Sequence, residues 1–162
     1  MTKPTEYREK AESLIFLANS LAISSIDNLS DKFPVLENIV DDDRFFVFLL
    51  TVAGAAAGVT LVDESIPEDE FQKFSRAVAE KLMNWDFLGY KPYGVGGAYK
   101  AYEDLSNFVK GKDTENMENF LAMGYWLVFN LKGSRPTKEE ALAGGAIGQF
   151  LAVSLLDWWN KV

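Results

Sequence analysis

The sequence predicts an all-α protein: a single helical domain over residues 1–162, a bundle of five or six helices around one apolar helix at about 44–62. Three observations predict it. The run from Phe45 to Val62 carries no charge. A helix of that length spans about 27 Å and is apolar on every side, so it has to be enclosed. The flanking segments repeat apolar residues at i, i+3, i+4 and i+7, the period of half-buried helices. Helix start and stop signals punctuate the chain between them.

Helix 1 is expected over 5–26, with Pro4 suited to its first turn and an apolar stripe of Tyr7, Ala11, Leu14, Ile15, Ala18, Leu21, Ala22 and Ile26. The stripe reads as an amphipathic helix and not as a targeting segment. Residues 27–43 form a connector broken by Pro34, in which Phe33, Leu36, Ile39 and Val40 can make one turn against the core. Asp41, Asp42 and Asp43 precede the central helix. Three successive acids point in different directions and lack the spacing of a calcium loop, so the expected role is capping and no metal is expected.

Helix 3 is expected from a capping box at Ser65-Ile66-Pro67-Glu68 to about Asn84, with Phe71, Phe74, Val78, Leu82 and Trp85 on one face. The loop 86–97 is rich in glycine and holds Tyr90 and Tyr93. It is neither a Walker loop nor a dinucleotide fingerprint, so the expected reading is a turn whose tyrosines cover core edges. Helix 4 covers 97–110, with Ala98, Tyr102, Leu105 and Val109 inward and Gly111 as its stop. Helix 5 runs from a cap at Asp113 or Thr114 to Lys132. Met117, Phe120, Leu121, Gly124, Leu127, Val128 and Leu131 form its stripe, and Tyr125, Trp126 and Phe129 widen it. Gly133 stops it, a second capping box at Thr137-Lys138-Glu139-Glu140 follows, and helix 6 runs to about Trp159.

Five glycines sit inside the two most apolar helices: Gly54 and Gly58 in helix 2, and Gly144, Gly145 and Gly148 in helix 6. Each costs about 1 kcal/mol against alanine. The expected compensation is a close crossing of helices 2 and 6 through these stripes.

Composition narrows the chemistry. The chain has no His and no Cys, which excludes imidazole bases, catalytic triads with His, His- or thiolate-ligated metals and disulfides. The absence of Cys fits a reducing compartment, and the expectation is a soluble cytoplasmic protein without cofactor. The net charge is -8. Within 27–70 only Lys32 and Arg44 face 11 acidic residues, a field that repels nucleic acid and attracts a basic partner. Helix 2 is near the minimum length of a membrane span, but acids flank it on both sides and no Lys/Arg asymmetry sets a topology, so a membrane protein is not expected.

Three function classes follow. The first is a non-enzymatic interaction protein that self-associates or docks a basic partner, with Trp126, Trp158 and Trp159 as aromatic anchors. The alternative is a bundle that binds a small apolar ligand in a slot bordered by Gly54, Gly58, Gly144 and Gly148, with Tyr90 and Tyr93 in its lid. An enzyme working on carboxylates alone ranks third, and a buried Asp104 or Asp157 in a cleft is the feature that revives it.

Overall fold

The computed structural model describes residues 4–111 and 117–161. Among them are six α-helices and one 3-10 turn, packed as an all-α bundle: α1 (Pro4–Lys32), the turn Pro34–Asn38, α2 (Asp43–Asp63), α3 (Glu68–Met83), α4 (Gly97–Val109), α5 (Asn119–Lys132) and α6 (Lys138–Lys161). The other five helices all pack against α2.

Every residue of α2 from Phe46 to Val59 is buried. Thr51 is the polar exception in this run, and its needs are met locally. Its hydroxyl donates to the Val47 carbonyl at 2.8 Å and accepts from Asn19 Nδ2 at 3.2 Å. The helix opens as expected. Asp42 is the N-cap and accepts from the Arg44 backbone N–H at 2.9 Å. Arg44 doubles back on the same carboxylate, which holds the Asp42 carboxyl below its ordinary range. α2 is about 30 Å long, so it sets Asp41–Asp43 far from Glu64 and Glu68–Glu70. The acidic region is split between two ends of the bundle and is not one surface.

Several boundaries differ from expectation, each for a local reason. α1 continues past Ile26 to Lys32, because Leu29 extends the buried stripe and nothing stops the helix before the Pro34 constraint on Phe33. The turn after it buries Leu36, as expected. The first capping box does not form. The Ser65 hydroxyl turns back to the Leu61 carbonyl at 2.8 Å, Pro67 occupies the N-cap of α3, and Glu68 is taken by Gln72. Along α3 and α4, Phe71, Tyr102 and Val109 are half-buried, as is Trp85 just past the end of α3, while Ala77 and Ala101 are buried in the core. α5 begins at Asn119 with Glu118 at its N-cap; the expected caps Asp113 and Thr114 lie outside the described residues. Met117 and Leu121 are exposed rather than part of the inner stripe.

The second capping box does form. Thr137 Oγ1 accepts from the Glu140 N–H at 3.2 Å, and Glu140 Oε1 accepts from the Thr137 N–H at 2.8 Å. Lys132, in the last turn of α5, donates to the same oxygen at 2.7 Å. Gly133 ends α5 at φ 79°, with its N–H on the Phe129 carbonyl at 2.8 Å. One buried carboxylate therefore fastens the α5–α6 turn.

The glycine stripes cross different partners from those expected. A Cβ on Gly54 would lie 2.9 Å from Ala18 Cβ, and one on Gly58 would strike the Leu14 side chain, so both glycines face α1. Gly144 and Gly148 face α5. A Cβ on Gly148 would strike the Phe120 carbonyl, and one on Gly144 would lie 2.6 Å from the Gly124 carbonyl oxygen. Helices α2 and α6 do touch, but not through matched glycine stripes.

Candidate functional site

The loop between α3 and α4 is clamped to the start of α2. Leu88 at φ 53° and Gly89 at φ 83° form the corner of a tight turn closed by Tyr90 N–H on the Phe87 carbonyl at 2.9 Å. The Arg44 guanidinium lies 4.6 Å above the Tyr90 ring. Tyr93 meets Phe45 and Phe48 edge to face, with centroids 6.0 and 5.8 Å apart. Gly96 at φ 70° is the N-cap of α4. The tyrosines thus cover the edge of the core, as the sequence suggests, and Tyr93 also reaches a cleft.

That cleft lies between α4 and α5 and has a volume of about 370 Å³. It is lined by Tyr93, by Lys100, Ala101 and Asp104 of α4, and by Trp126 and Asn130 of α5. Trp126 is 1% exposed and is among the largest fully buried side chains. Its Nε1–H donates to Asp104 Oδ2 at 2.9 Å, and the Asn130 amide donates to the Trp126 carbonyl at 2.9 Å. A buried indole, held by its own helix, thereby fixes a carboxylate at the rim. The Tyr93 phenol is pushed up, first by burial and then by the Asp104 charge. One carboxylate lines this cleft, and a two-carboxylate hydrolytic mechanism has no second member here. Among the described residues no three carboxylates converge in a way that could hold a metal ion.

The ligand slot expected at the glycines is closed. A methyl group added at Gly54, Gly144 or Gly148 would press on a neighbouring helix, and one at Gly58 would press on Leu14. These four residues are packing contacts. Of the expected site residues, the structure brings Tyr93 and Trp126 to one cleft and leaves Tyr90 outside it. Asp104, Lys100 and Asn130 complete that cleft. Asp104 is one of two adjacent acids in α4, beside Glu103, and nothing in the sequence pairs it with an indole 22 positions away.

Trp158 and Trp159 lie elsewhere, at the end of α6 against α1. Trp158 Nε1–H donates to Ser13 Oγ at 3.1 Å, and the Lys10 ammonium lies 5.6 Å from the Trp159 ring centre. Both are half-buried, so neither is core. They tie the two helices at one end of the molecule.

α6 is apolar on two faces. Ala143, Gly144, Ile147, Gly148, Leu151 and Leu155 are buried. Leu142, Ala146, Gln149, Val153 and Leu156 recur on the opposite face at steps of four, three, four and three, the spacing of a coiled-coil seam. Leu142 is 67% exposed and Val153 68%. Beside this ridge runs a groove of about 430 Å³, lined by Met117 just before α5, by Leu121 and Tyr125 of α5 and by Ala141, Gly145 and Ala146 of α6. By length and composition α2 and α6 could each cross a membrane, but the apolar window of α2 is 89% buried in the bundle and that of α6 only 33%. Comparison with known protein families, curated proteins and solved structures returns no match.

Proposed function

We propose that this protein acts by protein–protein contact, pairing with a second copy of itself through the outer face of α6. The observation that carries this reading is the exposed seam from Leu142 to Leu156 beside the α5–α6 groove. An exposed apolar strip of this kind marks an interaction surface. A second copy is the occupant that its pattern supports, because ridge and groove lie on one surface. A two-fold axis at Gln149 sets Leu156 over Leu142 of the other copy. It also sets Val153 over the side-chain-poor Gly145 and Ala146, a knob over a hole. A basic partner is less well supported, since the acids stand at opposite ends of α2.

Sedimentation equilibrium tests the reading, with a concentration-dependent dimer as the expected result. Val153→Lys, at an exposed position, should give a monomer with unchanged helicity. The chain has no cysteine, so Gln149→Cys places one thiol on the proposed axis and should cross-link under mild oxidation. A monomer at all concentrations overturns the proposal, as does a dimer that Val153→Lys leaves intact. A monomer that binds lipid vesicles through this face would assign the seam to a bilayer instead.

A further inference from the structure

We propose that the α4–α5 cleft binds a small zwitterion, an α-amino acid with an apolar side chain. Its ammonium would sit on Asp104 and its carboxylate on Lys100. The site is separate from the α6 seam and does not rest on it.

The argument starts from the two charges. Lys100 and Asp104 stand one turn apart on α4, and such neighbours have Cβ atoms about 6 Å apart. They form no ion pair, and the Lys100 ammonium has no partner among the described residues. Lys placed N-terminal to the acid is the weaker orientation for such a pair, which helps to keep them apart. Asp104 is not free to turn toward Lys100, because one of its oxygens is held at 2.9 Å by Trp126 Nε1–H. The other oxygen is left to accept from a ligand. Asn130 uses its amide N–H on the Trp126 carbonyl, so its side-chain oxygen is a second acceptor on the opposite wall.

These groups select against simpler ligands. A bare amine on Asp104 would meet the charge of Lys100, and a bare carboxylate on Lys100 would meet that of Asp104. A molecule carrying both charged groups on one carbon, as an α-amino acid does, satisfies both. Ala101, the indole edge of Trp126 and the Tyr93 ring line the rest of the cleft, and about 370 Å³ leaves room for a phenyl or branched aliphatic side chain. Tyr93 lines the same cleft and feels the Asp104 charge, and an aromatic ring near a bound ammonium adds to its attraction. The carboxylate is positioned before any ligand arrives, which lowers the cost of binding.

The indole N–H resonance of Trp126 is a direct reporter, since that proton is bonded to Asp104. We would titrate the protein with L-phenylalanine, phenethylamine and 3-phenylpropionate, and follow this resonance by ¹H–¹⁵N correlation. L-phenylalanine should give a saturable shift at millimolar or lower concentration, with each analogue weaker by about tenfold or more. Lys100→Ala, at an exposed position, and Asp104→Asn should each weaken L-phenylalanine by a similar factor. Should Asp104→Asn disturb packing through Trp126, Lys100→Ala carries the test alone. No saturable shift with L-phenylalanine up to about 20 mM overturns the proposal. So does equal binding of phenethylamine, or full retention of binding in Lys100→Ala.

Discussion

Two pairs of helices cross closely through glycine, and they differ in what the glycine touches. Where α2 crosses α1, the missing side chains make room for other side chains: Ala18 at Gly54 and the tip of Leu14 at Gly58. Where α5 crosses α6, they make room for backbone. Gly124 faces the Gly144 carbonyl, Gly144 lies against the Gly124 carbonyl, and Gly148 faces the Phe120 carbonyl. A leucine can change rotamer, whereas a peptide group in a helix moves only with its helix. Equal glycine content therefore conceals unequal tolerance. The α5–α6 pair is a rigid hairpin, and the α1–α2 pair is a side-chain packing that has some give.

The sharpest break in this comparison is alanine at the backbone crossing. Gly124→Ala and Gly148→Ala should each cost about 3 kcal/mol or more, although alanine favours the helix by about 1 kcal/mol. Urea denaturation measures it, and a cost below that of Gly54→Ala would invert the comparison. Gly54→Ala comes next, at about 1–2 kcal/mol. Its neighbour Ala18 has no rotamer to change, so α1 must shift by a few tenths of an ångström from a 2.9 Å approach.

The enclosed helix was legible because a run of 18 residues without charge is apolar on every side as a helix and is buried when other helices pack around it. The glycines announced close approach but not its partner. Small residues four apart describe one helix, and which neighbour fills the groove depends on tertiary arrangement. Gly124, alone in α5, was the missing half of the α6 crossing, and its isolation hid it. The capping boxes show the same limit. Thr137-x-x-Glu140 formed because Lys132 and Gly133 bring α5 back onto it, while Ser65-x-x-Glu68 lost its hydroxyl to the end of α2. Tyr93 and Trp126 were both singled out by residue type, yet only the packing of α4 on α5 places Asp104 between them.

Smaller effects sharpen the comparison at each pair. Thr137→Ala removes the cap at the α5–α6 turn and should cost about 1 kcal/mol in the same denaturation assay. Gly58→Ala should come within about 0.5 kcal/mol of the parent, because the gain in helix propensity offsets a rotamer change at Leu14. A large loss there would mean that the α1–α2 crossing is as unyielding as the glycine–backbone contacts of α5 and α6.

The turn also makes the hairpin sensitive to acid. The Glu140 carboxyl is held below its ordinary value of 4.5, first by the hydrogen bond from Lys132 and then by the Thr137 N–H. A carboxylate whose folded pKa is depressed stabilises the fold fully above its unfolded pKa. As pH falls below about 4.5 the unfolded chain takes up the proton first, and the contribution is lost on the way down to the folded value. Glu140→Gln keeps the size of the side chain and removes the charge. The melting temperature of the parent should therefore exceed that of Glu140→Gln most near pH 7, and the gap should close as pH drops through the carboxylate range. Circular dichroism melts across pH measure the gap, and because the other carboxylates are common to both proteins, their titration largely cancels in the difference. A gap that stays constant with pH would mean that Glu140 acts on the turn as a hydrogen-bond acceptor alone, with its charge irrelevant to the clasp between α5 and α6.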